Sequence, residues 1–532
     1  MSYHPGSRAL RLALIFAAYG TGLARGEEPG AAPLPATEEG WQQGLDQHVR
    51  ELLDLWGVPG GAVVVVDDTG ILWARGLGVR RVGTDAEFDL DTVFPIASNT
   101  KPFTAAAIGR LVDQGKVEWD DPVVKHLPEF RISDPYFTEH LTVRDFLCHR
   151  SGLEEHAADA YIMPRVMTGR PCEKALLMEW SKFLIPMHGL RQVAAYSNLG
   201  YLILADLIAQ VSGRPYAEFL QNEIFDPLDM TSAVAGAGAF ATMENRTTSH
   251  ELDPKGALAP SSWNIISDCT EGSGSIHASP SDLAAFVQMF LAGGLYGNTR
   301  VLASETVAEI LEAQMVVTPS PFQREAHGTE MKAWTLGWEK AQYKGKTLIR
   351  MGGFGPGHQN TMMMLPREKL GVLVFQNYSP AFFYVSAAYS VIDRALGLPS
   401  SDWGRTYRQF IPEIPRRVAV ELPVENLGDY VGVYTMGGYQ REIVDTEGHL
   451  YLLGTSPVGG PPVGRAQLFD LGNDVLFIRT ADAVFRFTRD SEGFVTGYVE
   501  NFFGVENSFE RVRWPGGRRR SPPTQPRRTT AP

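Results

Sequence analysis

Phe94-Pro95-Ile96-Ala97-Ser98-Asn99-Thr100-Lys101-Pro102-Phe103 sets a serine one helical turn ahead of a lysine. Residues three apart on a helix share a face, so Ser98 and Lys101 can approach each other. A serine hydroxyl is a poor nucleophile near neutral pH until a base takes its proton. The free N–H groups at a helix N-terminus can also hold an oxyanion. Ile108, Leu111 and Val112 continue a helical pattern after Ser98, and Gly115 stops it. Taken alone, the pair also fits a capping serine followed by a solvated lysine.

Outward from this stretch the chain alternates strand and helix signals. Leu45, Val49, Leu52, Leu53 and Trp56 recur at helical spacing, and Gly57 and Pro59 end that helix. Gly61 to Val66 and Ile71 to Gly76 flank Asp67-Asp68-Thr69-Gly70 and predict a hairpin. A helix follows Asn198 with Tyr201, Ala205 and Ile208 on one side and Gly213 at its end; another covers Ser281 to Leu291. Thr347 to Met351, Asn360 to Leu365 and Leu370 to Gln376 predict consecutive strands, and Ala381 to Leu396 a last helix. Strands early and late with helices between imply an α/β layer plus an all-helical part. From about Val418 the texture becomes short alternating runs parted by turns such as Asp445-Thr446-Glu447-Gly448, which predicts a small all-β domain.

The 532 residues exceed one ordinary domain, and 44% hydrophobic with 20% charged residues is a globular profile. A net charge of −13 gives no electrostatic footprint for nucleic acid. No stretch after the leader is long and apolar enough to span a bilayer. Arg8 and Arg11 precede the apolar run Leu12 to Ala18, with small residues at Ala24 and Gly26; residues 1–26 read as an export signal. The chain is therefore expected to be secreted or periplasmic. Residues 27–39 form a linker and residues 515–532 a disordered basic tail. With three cysteines, Cys148, Cys172 and Cys269, at least one is unpaired or bonds another chain. Cys148 follows Phe146-Leu147 and is expected to be a buried thiol.

Two further segments could complete a site around Ser98. In Tyr196-Ser197-Asn198 a phenol near an ammonium favours its ionised form, and it could pass a proton to and from a serine. The Asn198 amide could bond both a lysine and a substrate carbonyl. In Met351-Gly352-Gly353-Phe354 two glycines let a backbone come close to a ligand. An N–H from that edge, with the N–H of Ser98, would form an oxyanion hole. Each segment alone also fits ordinary structure: a capped helix with a packed tyrosine, and a glycine bend.

Taken in order, these segments resemble the serine β-lactamase and penicillin-recognising family, in its class C β-lactamase-like branch of esterases, D-aminopeptidases and transacylases. The resemblance runs from about Trp41 to Leu398. It rests on the Ser98 segment, Asp121-Pro122 with Leu127-Pro128-Glu129-Phe130, and Leu141 to Leu153 with its His149-Arg150-Ser151-Gly152-Leu153. Tyr196 to Tyr201, Pro227 to Met230, Ser279 to Ala284 and Gly352 to Gly357 follow. Leu427 to Tyr434 is similar to the start of a lipocalin-like appendage. The resemblance implies a β-lactamase-like domain over residues 40–400, an antiparallel sheet flanked by helices plus an all-helical subdomain, and a lipocalin-like β domain over 418–514. It implies Ser98 as nucleophile, Lys101 and Tyr196 as a coupled acid–base pair, Asn198 as a positioning amide and Phe354 as a backbone oxyanion donor. Either Lys101 or Tyr196 could be the base. The family usually carries Lys or His at Met351. Methionine cannot hold a carboxylate, so neutral esters or amides with apolar flanks are expected over penicillin-like substrates.

The function expected is a serine hydrolase acting on a small ester, amide or peptide through an acyl-enzyme, with no metal or organic cofactor. Acyl transfer on the same fold, or a cell-wall-binding sensor that does not turn over, are the alternatives. Cys148, His149, Glu155 and His156 match no zinc spacing, and there is no H-E-x-x-H. Neither a P-loop nor a G-x-S-x-G in a strand-to-helix context occurs. Gly272-Ser273-Gly274-Ser275 is read as a flexible turn ahead of a helix.

Overall fold

Gly60–Val66 is buried along its whole length, and it organises the molecule. Its β-branched residues cover both faces, as in a strand roofed on both sides. Ala62, Val64 and Val66 join one core, while Val63 and Val65 join a second. The computed structural model describes residues 40–153, 178–179, 181–252, 257–261, 268–355, 357–379, 381–410, 424–436, 439–454, 464–470, 474–478, 483–502 and 505–512. The leader, the linker, the basic tail, Glu155, His156 and Cys172 lie outside these residues.

An eight-stranded sheet runs in the order Met315–Val317, Lys332–Trp334, Glu339–Tyr343, Lys346–Gly355, His358–Leu365, Leu370–Gln376, Gly60–Val66, Ile71–Gly78, with every neighbouring pair antiparallel. The N-terminal hairpin therefore docks on the last strand, with Val63 opposite Val374. Leu45–Trp56 and Phe383–Ala395 pack on one side of the sheet. On the other side lie Thr100–Asp113, Asn198–Ser212 and Pro280–Leu291. Phe103 stacks on Phe286 at 3.6 Å between ring centres and ties the first of these helices to the third. Ser279 caps Pro280–Leu291 in a reciprocal box with Asp282. This is the expected β-lactamase-like class, a helix-flanked antiparallel sheet with a helical part.

The first three strands of that order were not expected from sequence. They are three to five residues long, and Lys332-Ala333-Trp334 and Glu339 to Tyr343 carry charged residues that break a hydrophobic pattern. Their existence follows from the free edge of Lys346–Gly355, which needs a partner.

Gly432–Met436, Tyr439–Thr446, His449–Gly454, Gly464–Asp470, Val475–Ile478, Ala483–Arg489, Val495–Phe502 and Val505–Arg511 form a closed barrel. Tyr434 opposite Arg511 closes it. Tyr434, Ile443, Phe485, Tyr498 and Phe509 fill the interior. Closure removes the exposed edges that so many short strands would otherwise leave. Among the described residues, no helix is long and apolar enough to cross a membrane.

Candidate active site

Phe94–Pro95 pairs with Ile276–Ala278, and the chain then turns sharply through Ala97–Asn99 into the helix Thr100–Asp113. The turn is closed by Asn99 N–H donating to the Ile96 carbonyl at 3.1 Å. Ile276 grips it twice, accepting from Ile96 N–H and donating to Thr100 Oγ1, both at 3.1 Å. Ala97 has φ +49°, a left-handed conformation that an alanine keeps only where its surroundings impose it. No side chain caps either the turn or the helix, so the Ser98 hydroxyl is not spent on capping.

Lys101 is fully buried. A buried ammonium must be paired, and three acceptors meet it: Ser98 Oγ at 3.2 Å, Asn198 Oδ1 at 2.8 Å and the Ser273 carbonyl at 3.0 Å. Its Nζ also lies 4.7 Å from the centre of the Tyr196 ring and 5.3 Å from that of Tyr201. Tyr196 OH donates to Ser98 Oγ at 2.8 Å. Tyr196 precedes the helix Asn198–Ser212, which places Asn198 in its first turn. Burial holds the Tyr201 phenol protonated, its pKa well above the usual value. Its OH donates to the Leu147 carbonyl at 2.6 Å, so Tyr201 is a wall of the site. The structure thus brings Ser98, Lys101, Tyr196 and Asn198 together.

His149 supports Tyr196. It is buried, its ring lies 4.5 Å from the Tyr196 ring, and its Nδ1 accepts from Ser197 N–H at 3.1 Å. Trp334 closes the same aromatic group at 4.7 Å from His149.

Met351, Gly353 and Phe354 lie on the strand Lys346–Gly355. Its ladder with Glu339–Tyr343 ends at Arg350. Beyond that point, Met351 to Gly355 continues its pairing with His358–Leu365. Gly353 packs directly on the serine turn: a Cβ there would stand 2.0 Å from the Ile96 carbonyl oxygen. The Met351 side chain is 5% exposed and belongs to the same core as Ile349, whereas Phe354 is 36% exposed.

Two participants were not read from the sequence. The Gly272 to Ser275 segment is no mere spacer: the Gly272 carbonyl accepts from Thr104 Oγ1 at 2.7 Å and the Ser273 carbonyl from Lys101. A backbone carbonyl carries no residue signature, so no sequence signal marks it. The second is Asn360, a fully buried amide in the polar half of its strand, where His358, Gln359 and Thr361 are buried beside it; among such neighbours nothing in the sequence singles it out. Cys148 is a free, buried thiol whose pKa burial pushes to about 12, and Cys269 is disulfide-bonded.

The family model described as Beta-lactamase matches residues 45–411. The chain belongs to the beta-lactamase family. Unguisins hydrolase ungD of Aspergillus violaceofuscus is 27% identical over 440 residues, covering 74% of this chain and 75% of that protein. D-alanyl-D-alanine-carboxypeptidase/endopeptidase AmpH of Escherichia coli is 26% identical over 356 residues, covering 66% and 87%. Among solved structures, the octameric penicillin-binding protein homologue from Pyrococcus abyssi aligns with a TM-score of 0.58 at 21% identity, over 88% of this chain and 98% of that one. The class C beta-lactamase from Rhodobacter sphaeroides aligns at 0.53 and 18%, over 66% and 100%. These structural likenesses show a shared fold.

Proposed function

We propose that this beta-lactamase family member is a serine hydrolase that cleaves an ester or amide through an acyl-enzyme on Ser98. One observation carries the reading: the Ser98 hydroxyl receives hydrogen bonds from Tyr196 OH at 2.8 Å and Lys101 Nζ at 3.2 Å. Lys101 faces two groups that can only accept, the Asn198 amide oxygen and the Ser273 carbonyl. That surrounding favours ammonium over free amine. Lys101 is then the cation, and Tyr196 the base once its phenol has lost the proton it donates here, its oxygen then accepting from the Ser98 hydroxyl.

In this mechanism Ser98 Oγ attacks the substrate carbonyl carbon while its proton passes to Tyr196. Negative charge gathers on the carbonyl oxygen between the N–H groups of Ser98 and Phe354. Tyr196 returns the proton to the leaving alcohol or amine as that bond breaks. Water then attacks the acyl carbon, and the same pair resets Ser98. Met351 offers the substrate no cation, and Trp334, Tyr196 and Phe354 are partly exposed around the site. Both features favour a neutral acyl donor with apolar flanks. The hydrolase and carboxypeptidase names of the two relatives agree with the reaction type. We also place the protein outside the cytoplasm, on the strength of its leader and its disulfide-bonded Cys269.

The test treats wild type and Ser98→Ala with a fluorophosphonate, short-chain esters and D-amino acid amides, with and without an added amine acceptor. We expect a mass adduct on Ser98 and turnover lowered at least about a thousandfold in the variant. An adduct on another residue, or equal turnover by Ser98→Ala, would refute the reading. Acyl product appearing on the acceptor in place of free acid would make the enzyme a transferase.

A further inference from the structure

We propose that Asn360 is a positioning residue that sets the distance between Ser98 and the edge of the strand Lys346–Gly355, because its side-chain amide is bonded to both. The proposal rests on the reading of Ser98 as nucleophile and Phe354 N–H as oxyanion donor.

Asn360 lies on His358–Leu365, opposite Gly353 in the ladder. Its Oδ1 accepts from Asn99 Nδ2, the side chain directly after the nucleophile. Its Nδ2 is 3.4 Å from the Ile96 carbonyl, at the start of the serine turn, and 3.4 Å from the Gly353 carbonyl, on the strand. Both asparagines are fully buried. One amide therefore touches the turn on either side of Ser98 and the residue just before Phe354. Gly353 explains why nothing bulkier separates the two elements: its missing Cβ would lie 2.6 Å from Asn360 Nδ2. The turn has a further need for such a clamp. Ala97 is held at φ +49°, and relaxation there would swing Ser98 away from its partners.

An oxyanion hole works when both donors point at one oxygen position, and a misplacement near 1 Å costs about a hundredfold in rate. Removing the amide should loosen that alignment without touching the proton path, since no bond between Asn360 and Lys101 or Tyr196 exists among those described.

The experiment compares wild type, Asn360→Ala and Asn99→Ala by the second-order rate of fluorophosphonate labelling at Ser98, with folding followed by circular dichroism and thermal midpoint. Phosphonylation forms the Ser98 Oγ–P bond, expels fluoride and places the phosphoryl oxygen where the oxyanion would sit. We expect labelling of folded Asn360→Ala to fall about 10- to 100-fold, with the pH profile of labelling keeping its wild-type midpoint. Asn99→Ala should produce a smaller fall in the same direction. Labelling within threefold of wild type in a folded Asn360→Ala would overturn the proposal. A shifted pH midpoint would also overturn it, because Asn360 would then act on the acid–base pair. If Asn360→Ala does not fold, Asn99→Ala decides by the same two readouts. Wild type that takes no label on Ser98 would refute the nucleophile assignment itself, a result distinct from any of these.

Discussion

Met351 sits two residues before Gly353 on the same face of its strand, the face that meets the serine turn. A lysine there would present an ammonium toward the site, and a charge-assisted bond to a carboxylate is worth about 1.5–3 kcal/mol. Met351→Lys should therefore raise kcat/KM for nitrocefin at least about tenfold relative to a neutral ester. It should also lower the thermal midpoint, since the position is 5% exposed and an ammonium there must be desolvated. Steady-state kinetics on the two substrates checks this. Wild type that already hydrolyses nitrocefin well, with no change in the variant, would remove the argument. At this scale the sequence was informative where chemistry needs a particular side chain. Ser98, Lys101, Tyr196 and Asn198 were visible and meet. Ser273, acting through its carbonyl, and Asn360, whose role depends on a strand register, were not, because neither identity nor spacing encodes their partners.

The segments that deliver Tyr196 are held by one buried carboxylate. Asp145 caps the helix Val143–Leu147 through a reciprocal box with Thr142. It also bonds Arg150 Nε at 2.7 Å and Arg191 Nη2 at 2.9 Å. Arg150 follows His149, and Ala195 N–H donates to the His149 carbonyl at 2.8 Å, so the two arginines fasten both chains beside Tyr196. Removing one partner of a buried ion pair costs about 3–5 kcal/mol. Asp145→Ala should lose about 3 kcal/mol in urea unfolding, and its Ser98 labelling should slow as Tyr196 loosens. A variant as stable as wild type would show that the arginines find other partners. Elements of this kind divide in how far sequence predicts them. Gly60–Val66 and Asn198–Ser212 announce themselves because their own residues supply the burial. Met315–Val317 does not, because three residues are too few to show a pattern, and Gly464–Asp470 and Val505–Arg511 do not, because their polar residues are carried by pairing with neighbours that no local window contains.

Across the whole catalytic sheet, the two faces differ in what they bury. The face toward Ser98 buries Lys101, Asn99, Asn360 and His277 among apolar residues, whereas the opposite face encloses a cluster of ion pairs under Phe383–Ala395 and Trp403–Phe410. Asp393 accepts there from Tyr343 OH at 2.6 Å and Trp403 Nε1 at 2.8 Å and pairs with Lys344 at 2.8 Å, while Glu339 pairs with Arg350 and Lys332. His327 lies among them, 3% exposed, with Nε2 3.1 Å from Tyr407 OH and its ring 4.3 Å from that of Tyr389. Burial, and then the charge of Arg350, bring its pKa down to about 3. His277, on the other side of the sheet, falls to about 4 through burial alone. An unfolded histidine titrates near 6.5. Between that value and the native one, the unfolded chain binds more protons, so acid favours unfolding. Stability is full above about pH 6.5 and declines below it, by about 2 kcal/mol for each of the two histidines at pH 5. His327→Phe keeps an aromatic ring among Tyr343, Tyr389 and Trp403 and removes one titrating group. Its unfolding free energy, measured in urea from pH 7.5 to 4.5, should fall with a shallower slope than wild type by about one proton. Parallel slopes would mean that His327 titrates alike in the native and unfolded states, and would overturn the lowered native pKa.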